Sequence, residues 1–292
     1  MATLKEVQTK IGGVKKTSQI TSAMNMVAAA KLRGAQEKME DFRSYAEKFN
    51  QAMSNLSGNM ESGQFPLMEV RDVQTVELVI VTSDRGLCGS FNSNILKQAE
   101  KLIREYETDG KKVTLVCVGK KGNAYFQKTG KVRTAFNDIM GTFQMFNARA
   151  IAQDVAANFL AGEADKVHVF FGKFMSIASQ KPAHEVLLPV QPEVEEGTEP
   201  EAAASAGDYI YEPSPTEIMD VLLPLYINVM IYHAMLETGA SEHAARMSAM
   251  DNATRACRDM IDSLTLLYNK ARQAGITAEL MDIVGGAEAL KG

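Results

Sequence analysis

Between Leu236 and Ala271 the chain reads LETGASEHAARMSAMDNATRACRDMIDSLTLLYNKA, and its period decides the fold. Leu236, Ala240, His243, Met247, Met250, Thr254, Cys257, Ile261, Leu264, Tyr268 and Ala271 recur at alternating spacings of four and three. That is the seam of a heptad helix, with small and apolar residues meeting a partner helix. Glu242, Arg246, Asp251, Arg255, Arg258, Asp259 and Asp262 flank it as a solvated face. No proline interrupts the pattern after Pro224, so one helix is expected from about Pro213 to Leu290. At ~1.5 Å per residue it spans on the order of 100 Å, and much of it must project from any globular body.

A matching seam opens the chain. Val7, Ile11, Val14, Ser18, Thr21, Asn25, Ala28, Leu32, Ala35, Met39, Phe42, Ala46, Phe49, Met53 and Leu56 keep the same alternation. Two heptad helices at opposite ends of one chain are expected to pair as an antiparallel coiled coil. Polar residues in the N-terminal seam and Ala and Met in the C-terminal one allow a close but weak contact. An ordinary helical bundle is the plainer reading, and the uninterrupted length at both ends argues against it.

The middle changes class. Val76–Thr82, Val113–Val118, Val132–Phe136, Lys166–Phe174 and His184–Val190 read as strands. Phe91–Tyr106, the residues after Gly119-Lys120-Lys121-Gly122, and Ala148–Ala161 read as helices. Strands alternating with helices predict a Rossmann-like α/β domain with a largely parallel sheet, inserted between the terminal helices. The expected organisation is an N-terminal helix over residues 1–57, an α/β domain over 70–190, an acidic loop over 191–208 and a C-terminal helix over 209–292, with a glycine- and proline-marked break at 57–66. Tyr209-Ile210-Tyr211 is a candidate last extended segment, Ser214 and Thr216 are candidate caps, and Pro224 is a candidate kink or restart.

Composition narrows the function. The 292 residues allow one large or two modest domains, and 46% hydrophobic residues suffice for a core. A formal net charge of −5 argues against nucleic-acid binding by bulk charge. Residues 1–35 nevertheless hold Lys5, Lys10, Lys15, Lys16, Lys31 and Arg33 against Glu6 alone. Such a face suits a nucleic acid, a membrane surface or an acidic protein partner. The start has no targeting pattern, and no run of about 18 apolar residues is evident, so nothing is expected to span a bilayer. Cys88, Cys117 and Cys257 are isolated and read as reduced thiols.

No catalytic residue, cofactor site or metal site is expected. Asp84-Arg85-Gly86-Leu87-Cys88-Gly89-Ser90 and Gly119-Lys120-Lys121-Gly122 tempt a phosphate-loop reading. Their spacing is not that of the Walker loop, and no Ser or Thr follows a Gly-Lys to hold magnesium. Turns closing strand–helix units explain both. Cys88 lacks a histidine partner and an orienting acid, His233 and His243 lack neighbouring ligand types, and Glu279 with Asp282 reads as a pair of interaction residues.

Five motifs make the sequence specific: Gln19–Leu32 (QITSAMNMVAAAKL), Ser83–Asn92 (SDRGLCGSFN), Ser241–Met250 (SEHAARMSAM), Tyr268–Ala274 (YNKARQA) and Ile276–Ala289 (ITAELMDIVGGAEA). In this order they resemble the gamma subunit of F-type ATP synthases over nearly the whole chain. The resemblance implies a central rotor shaft inside a ring of alternating alpha and beta subunits, with the epsilon subunit and the c-subunit membrane ring below. Such a shaft couples proton or sodium flow to ATP synthesis. It sits peripherally on the cytoplasmic face of the inner membrane, held through its partners. By motif match, the resemblance implies beta-subunit contacts for Met24, Arg246, Gln273 and Thr277, with Glu279 adjacent, and an apolar tip of Met281, Ile283, Val284 and Leu290. Leu225, Asn228, Asp251 and Arg255 depart from the commoner pattern. The rival readings are a nucleotide enzyme and a coiled-coil adaptor; the first lacks a phosphate loop, and the second does not account for the motifs.

Overall fold

The computed structural model describes residues 3–57, 65–142, 144–191 and 214–289. The acidic loop from residue 192 on, the Tyr209–Tyr211 segment, Pro213 and Leu290 lie outside them. The elements run α1 (Leu4–Ser57), β1 (Thr75–Val81), α2 (Phe91–Thr108), β2 (Lys112–Val118), α3 (Lys120–Phe126), β3 (Val132–Phe136), α4 (Met145–Leu160), β4 (Lys166–Ser176), β5 (Ser179–Leu188) and α5 (Pro215–Ala289). The chain divides into two compact units, Met1–Ala29 with Arg246–Gly292, and Ala30–Ala245.

In the first unit the two terminal helices pair antiparallel. The buried Thr21 and Thr254 hydroxyls meet at 2.7 Å, and Asn25 Nδ2 donates to the Met247 carbonyl at 2.8 Å. The polar centre of the seam is therefore satisfied across the pair, which fixes register at some cost in apolar burial. From Val7 to Met53 every seam position of α1 is buried or half-buried, as is every seam position of α5 from Leu236 to Ala271.

The larger unit is a five-stranded sheet in the order β3-β2-β1-β4-β5, parallel except for the final β4–β5 hairpin. The chain winds outward from β1 to β3 through α2 and α3, and α4 then carries it back to β4 on the other side of β1. Alternation along β1 sends side chains to two cores. Val76, Leu78 and Ile80 pack with Phe91, Ile95, Ala99 and Ile103 of α2. Val79 and Val81 face α4, α5 and the lower part of α1 through Ile151, Val155, Ile231, Met235, Phe49 and Met53. Within this unit too the terminal helices run antiparallel: the Phe42 and Tyr232 rings meet edge-on at 4.8 Å, and Phe49 stacks with Tyr226 at 6.5 Å.

Three expectations shift. β5 starts at Ser179 rather than His184 and passes through Pro182. Proline is tolerated there because β5 is the edge strand and needs no outward N–H partner. α5 runs as one helix through Pro224 rather than restarting; Pro224 lies on the exposed side, where the carbonyl its missing N–H leaves unbonded meets water. Ser214 is its cap, accepting the Glu217 N–H at 3.2 Å. Finally, a window of 18 residues in α5 has mean hydropathy 1.5 and is 44% buried, so by length and composition one helix is apolar enough to cross a membrane. Isolated polar residues interrupt this stretch, so no unbroken apolar run marks it in the sequence. In the larger unit Met219, Leu223, Ile227, Ile231 and Met235 of this helix are buried in the core instead.

Two polar groups are buried within the sheet. Glu77 on β1 accepts from Arg133 Nε at 2.7 Å and Asn158 Nδ2 at 3.0 Å, and Arg133 forks onto Asp154. Burial pushes the Glu77 carboxyl above its ordinary value against the pull of Arg133. His168 on β4 is 2.9 Å from the Tyr106 hydroxyl. Burial first, then the charges of Lys166 and His184, lower its imidazole to about 4 from 6.5.

Gly172 of β4 sits where an added Cβ would come within 2.3 Å of the Phe91 ring. Gly172→Ala is expected to destabilise the chain by about 1–3 kcal/mol in thermal unfolding. Gly34→Ala, in open space on α1, should stabilise it by about 0.5–1 kcal/mol. For His168 the unfolded chain takes up a proton before the folded one as pH falls. Its contribution is therefore complete above about pH 6.5 and is lost progressively towards pH 4. Between those values His168→Phe should lose roughly 3 kcal/mol less stability than the parent chain; equal slopes would show that the ring is hydrated in the folded state.

Candidate partner interface

The first unit offers helix surface. Lys5, Lys10, Lys15 and Lys16 of this unit are exposed, as are Lys31 and Arg33 on the part of α1 that belongs to the larger unit. Ile20, Met26 and Val27 lie among them, each more than half exposed. Basic and apolar side chains thus share one helix, a combination that fits a protein surface carrying carboxylates beside apolar groups. Met24 is half-buried beside the seam.

On α5 the helix becomes more exposed toward its end. From Ile276 to Ala289 every residue is exposed, although Ile276, Leu280, Met281, Ile283 and Val284 are apolar. Ile283 is 71% exposed and Met281 67%. Monomeric proteins rarely leave such a run to water, and an uncovered apolar stretch marks a contact surface. Just before it, Gln273 and Thr277 stand one turn apart and exposed. The Thr277 hydroxyl donates to the Gln273 carbonyl at 2.9 Å, so its oxygen lone pairs and the Gln273 amide face outward. Glu279 is exposed one turn before Asp282 and Ile283. Arg246 differs from these: only 8% of it is exposed, and it has partners within the chain. The structure therefore groups Gln273, Thr277, Glu279, Met281, Ile283 and Val284 on one exposed helix end and leaves Arg246 apart from them.

The two glycine-rich stretches are turns locked by their own side chains. Asp84 Oδ1 accepts the N–H groups of Lys120 and Asp138 at 3.0 Å each, and Oδ2 accepts that of Met140 at 3.0 Å. A carboxylate of the chain thus already occupies the backbone donors that a phosphate would seek. Lys120 is paired with Asp138 at 2.8 Å. Gly119, at φ 94°, has the Thr82 carbonyl where a Cβ would stand. Cys88 is buried and accepts from Asn92 Nδ2 at 3.2 Å, while burial pushes the Cys117 thiol up to about 12. Cys117 therefore stays a thiol at neutral pH. Among the described residues no cluster of His, Cys, Asp and Glu could hold a metal ion. A cleft of about 670 Å³ in the larger unit carries both signs of charge, Arg43 and Lys173 against Glu47 and Glu185.

One group escaped the sequence reading. Glu237, fully buried on α5, holds Arg43 of α1 at 2.5 Å and accepts the Phe174 N–H of β4 at 2.7 Å. Thr238 accepts the Gly172 N–H at 3.2 Å, and Ser241 donates to the Gly172 carbonyl at 2.9 Å. The available signal was a polar trio at 237, 238 and 241, one turn wide, inside an otherwise apolar stretch.

Comparison with known proteins agrees with this geometry. The ATP synthase family model matches residues 3–290. The ATP synthase gamma chain of Desulfotalea psychrophila is 65% identical over 291 residues, and that of Nitratidesulfovibrio vulgaris strain Miyazaki F 54% identical over 294, each alignment covering 100% of both chains. Among solved structures, a chain of the Tetrahymena thermophila mitochondrial ATP synthase central stalk and c-ring is 26% identical with a TM-score of 0.61, covering 80% of this chain and 99% of that one. A chain of the Euglena gracilis mitochondrial ATP synthase shares the fold at a TM-score of 0.70 and 20% identity, over 98% of this chain and 94% of that one. Paired terminal helices, an inserted doubly wound sheet and full-length identity to named gamma chains lead to one conclusion: this chain belongs to the ATP synthase gamma chain family.

Proposed function

We propose that this chain is the central rotor shaft of an ATP synthase, turning within the catalytic head and coupling ion-driven rotation of a membrane ring to ATP synthesis and hydrolysis. The observation that carries the reading is the exposed, largely apolar end of α5 on a helix pair whose seam is otherwise covered. Such an end needs a surrounding partner, and the relatives are named as chains of ATP synthase. The chain itself is a non-catalytic subunit.

The mechanism is differential binding. A shaft seated among three equivalent catalytic subunits must favour a different conformation at each, and a turn must exchange those preferences. Equal affinity for all three would transmit no work. In this reading Gln273, Thr277 and Glu279 make polar contacts with a beta-subunit loop, as does Arg246 through whatever part of it stays accessible. Met24 faces the lower lobe of a beta subunit. Met281, Ile283 and Val284 turn in a hydrophobic sleeve, together with Leu290. The basic stretch of α1 faces acidic groups of the head. The alpha and beta subunits, the epsilon subunit and the c-subunit ring are the proposed partners, and the chain sits peripherally on the cytoplasmic face of the membrane through them.

Reconstitution with matching alpha and beta subunits tests this. Cys88 and Cys117 are buried, so the probe belongs on Lys101→Cys in a Cys257→Ala background. Stepwise rotation during ATP hydrolysis is the expected result, and failure to associate with the ring would overturn the reading in favour of an adaptor. Gln273→Ala/Thr277→Ala is expected to lower ring ATPase roughly 5- to 10-fold, about 1–1.4 kcal/mol. Met24→Lys should preserve assembly while lowering ATP synthesis more than hydrolysis, because a new cation beside acidic groups holds the shaft in place.

A further inference from the structure

The rotor reading leaves open how the terminal helices are fixed to the sheet against twisting. Apolar burial does not settle it. The α5 face that carries Ile227, Ile231 and Met235 opposes separation from the core. Apolar contact is non-directional, however, and a helix lying on such a face retains freedom to roll and slide.

Several directional contacts gather at one place. β1 pairs with β4 only over Lys166–Phe170, and β4 continues to Ser176. Beyond Phe170 the β1-side edge of β4 meets α5 instead of a strand. Gly172 uses both its N–H and its carbonyl there, with Thr238 and Ser241, and Phe174 donates to Glu237. The Glu237 carboxylate divides its oxygens between elements. Oε2 takes the β4 N–H, and Oε1 takes the Arg43 guanidinium of α1. His233, one turn earlier on α5, is 3.8 Å from Oε1. One buried carboxylate is thereby bonded to α1 and β4 while belonging to α5. Glu237 is fully buried while the Arg43 side chain keeps 36% of its surface open to the cleft; charge-assisted bonds to a carboxylate shielded from water are strong and sensitive to direction.

We propose that Glu237 and Arg43 are positioning residues of the rotor, which fix the rotational register of both terminal helices on strand β4 so that torque passes as rotation rather than as slip. The proposal rests on the rotor reading. Neither residue touches nucleotide or the transported ion; they act through the helices they hold.

The test uses the complete complex in proteoliposomes and measures ATP hydrolysis together with ions pumped per ATP. Glu237→Gln and Arg43→Met are expected to lower ions pumped per ATP roughly fivefold or more, the lower range for a coupling between sites. Hydrolysis per assembled complex should change by less than about twofold, since neither residue lies near nucleotide. Arg43→Lys restores most of the ratio, because it keeps the charge beside Glu237. Lys101→Met, at an exposed side chain, leaves the ratio unchanged. Arg43→Met/Glu237→Gln leaves no buried charge unpaired and carries the test if the single variants do not assemble. A merely structural role would reduce the number of complexes while those that form stay fully coupled, and that outcome overturns the proposal. An unchanged ratio in the variants overturns it as well. A parent complex that hydrolyses ATP without pumping would instead overturn the rotor reading itself.

Discussion

Strand β4 outruns its neighbour. Beyond Phe170 it pairs with no β1 residue, yet Gly172 and Phe174 remain buried. Backbone N–H and C=O groups left unbonded in such a place cost on the order of 1–3 kcal/mol each. Much of the larger unit follows from that constraint. A helix must lie along the edge, it must carry polar side chains at the matching height, and those side chains must be buried in turn. Glu237, Thr238 and Ser241 meet the requirement, each with no measurable exposure. The carboxylate among them then requires a cation, and Arg43 brings α1 to the same point. Gly172 has to lack a side chain because the Phe91 ring fills the opposite face. A single truncated strand pairing thus accounts for a glycine, a buried carboxylate, an arginine and the seat of both terminal helices on the sheet.

The other unit meets a different constraint with similar means. Its helices pair through a seam whose centre is polar, where Thr21 faces Thr254 and Asn25 reaches a backbone carbonyl. Leucine at these positions would bury more apolar area but would leave the register less strictly set. Each terminal helix therefore has a directional polar lock in each unit, with apolar and small residues between. For a shaft on the proposed reading, stiffness in register matters more than the free energy of pairing. On that reading the surrounding partners supply the remaining burial.

The heptad seams were legible because their period persists through both helices, and burial follows them position by position from Val7 to Met53 and from Leu236 to Ala271. The strands were legible where β-branched runs are bounded by turns, as at Thr75–Val81 and Lys112–Val118. β5 was legible only in its second half, because Lys181 and Pro182 disguise an edge strand whose inward pairing needs no N–H at that proline. The Glu237–Arg43 pair was not legible at all. The two residues are far apart in sequence, each is an ordinary charge on a helix, and only the folded sheet shows that Glu237 accepts a β4 backbone N–H while Arg43 balances its charge. Arg246 shows the same limit from the other side: its motif marked it as an outward contact, whereas the fold covers most of it.

The exposed end of α5 combines two kinds of surface that answer different demands. An apolar helix end offers a partner no directional bond to break, so the barrier to turning inside a sleeve stays low. On the proposed reading Gln273, Thr277 and Glu279 do the opposite. Hydrogen bonds of good geometry favour particular angular positions, and a favoured angle is what distinguishes one surrounding subunit from the next. A shaft that was apolar throughout would turn without selecting a conformation, and one that was polar throughout would bind and stop. Placing the polar group a turn before the apolar end separates these tasks along one helix. The work delivered per step is then limited by the difference in contact free energy between successive positions, not by the total strength of the contact. On the proposed reading that limit lets a small polar group suffice on a long helix.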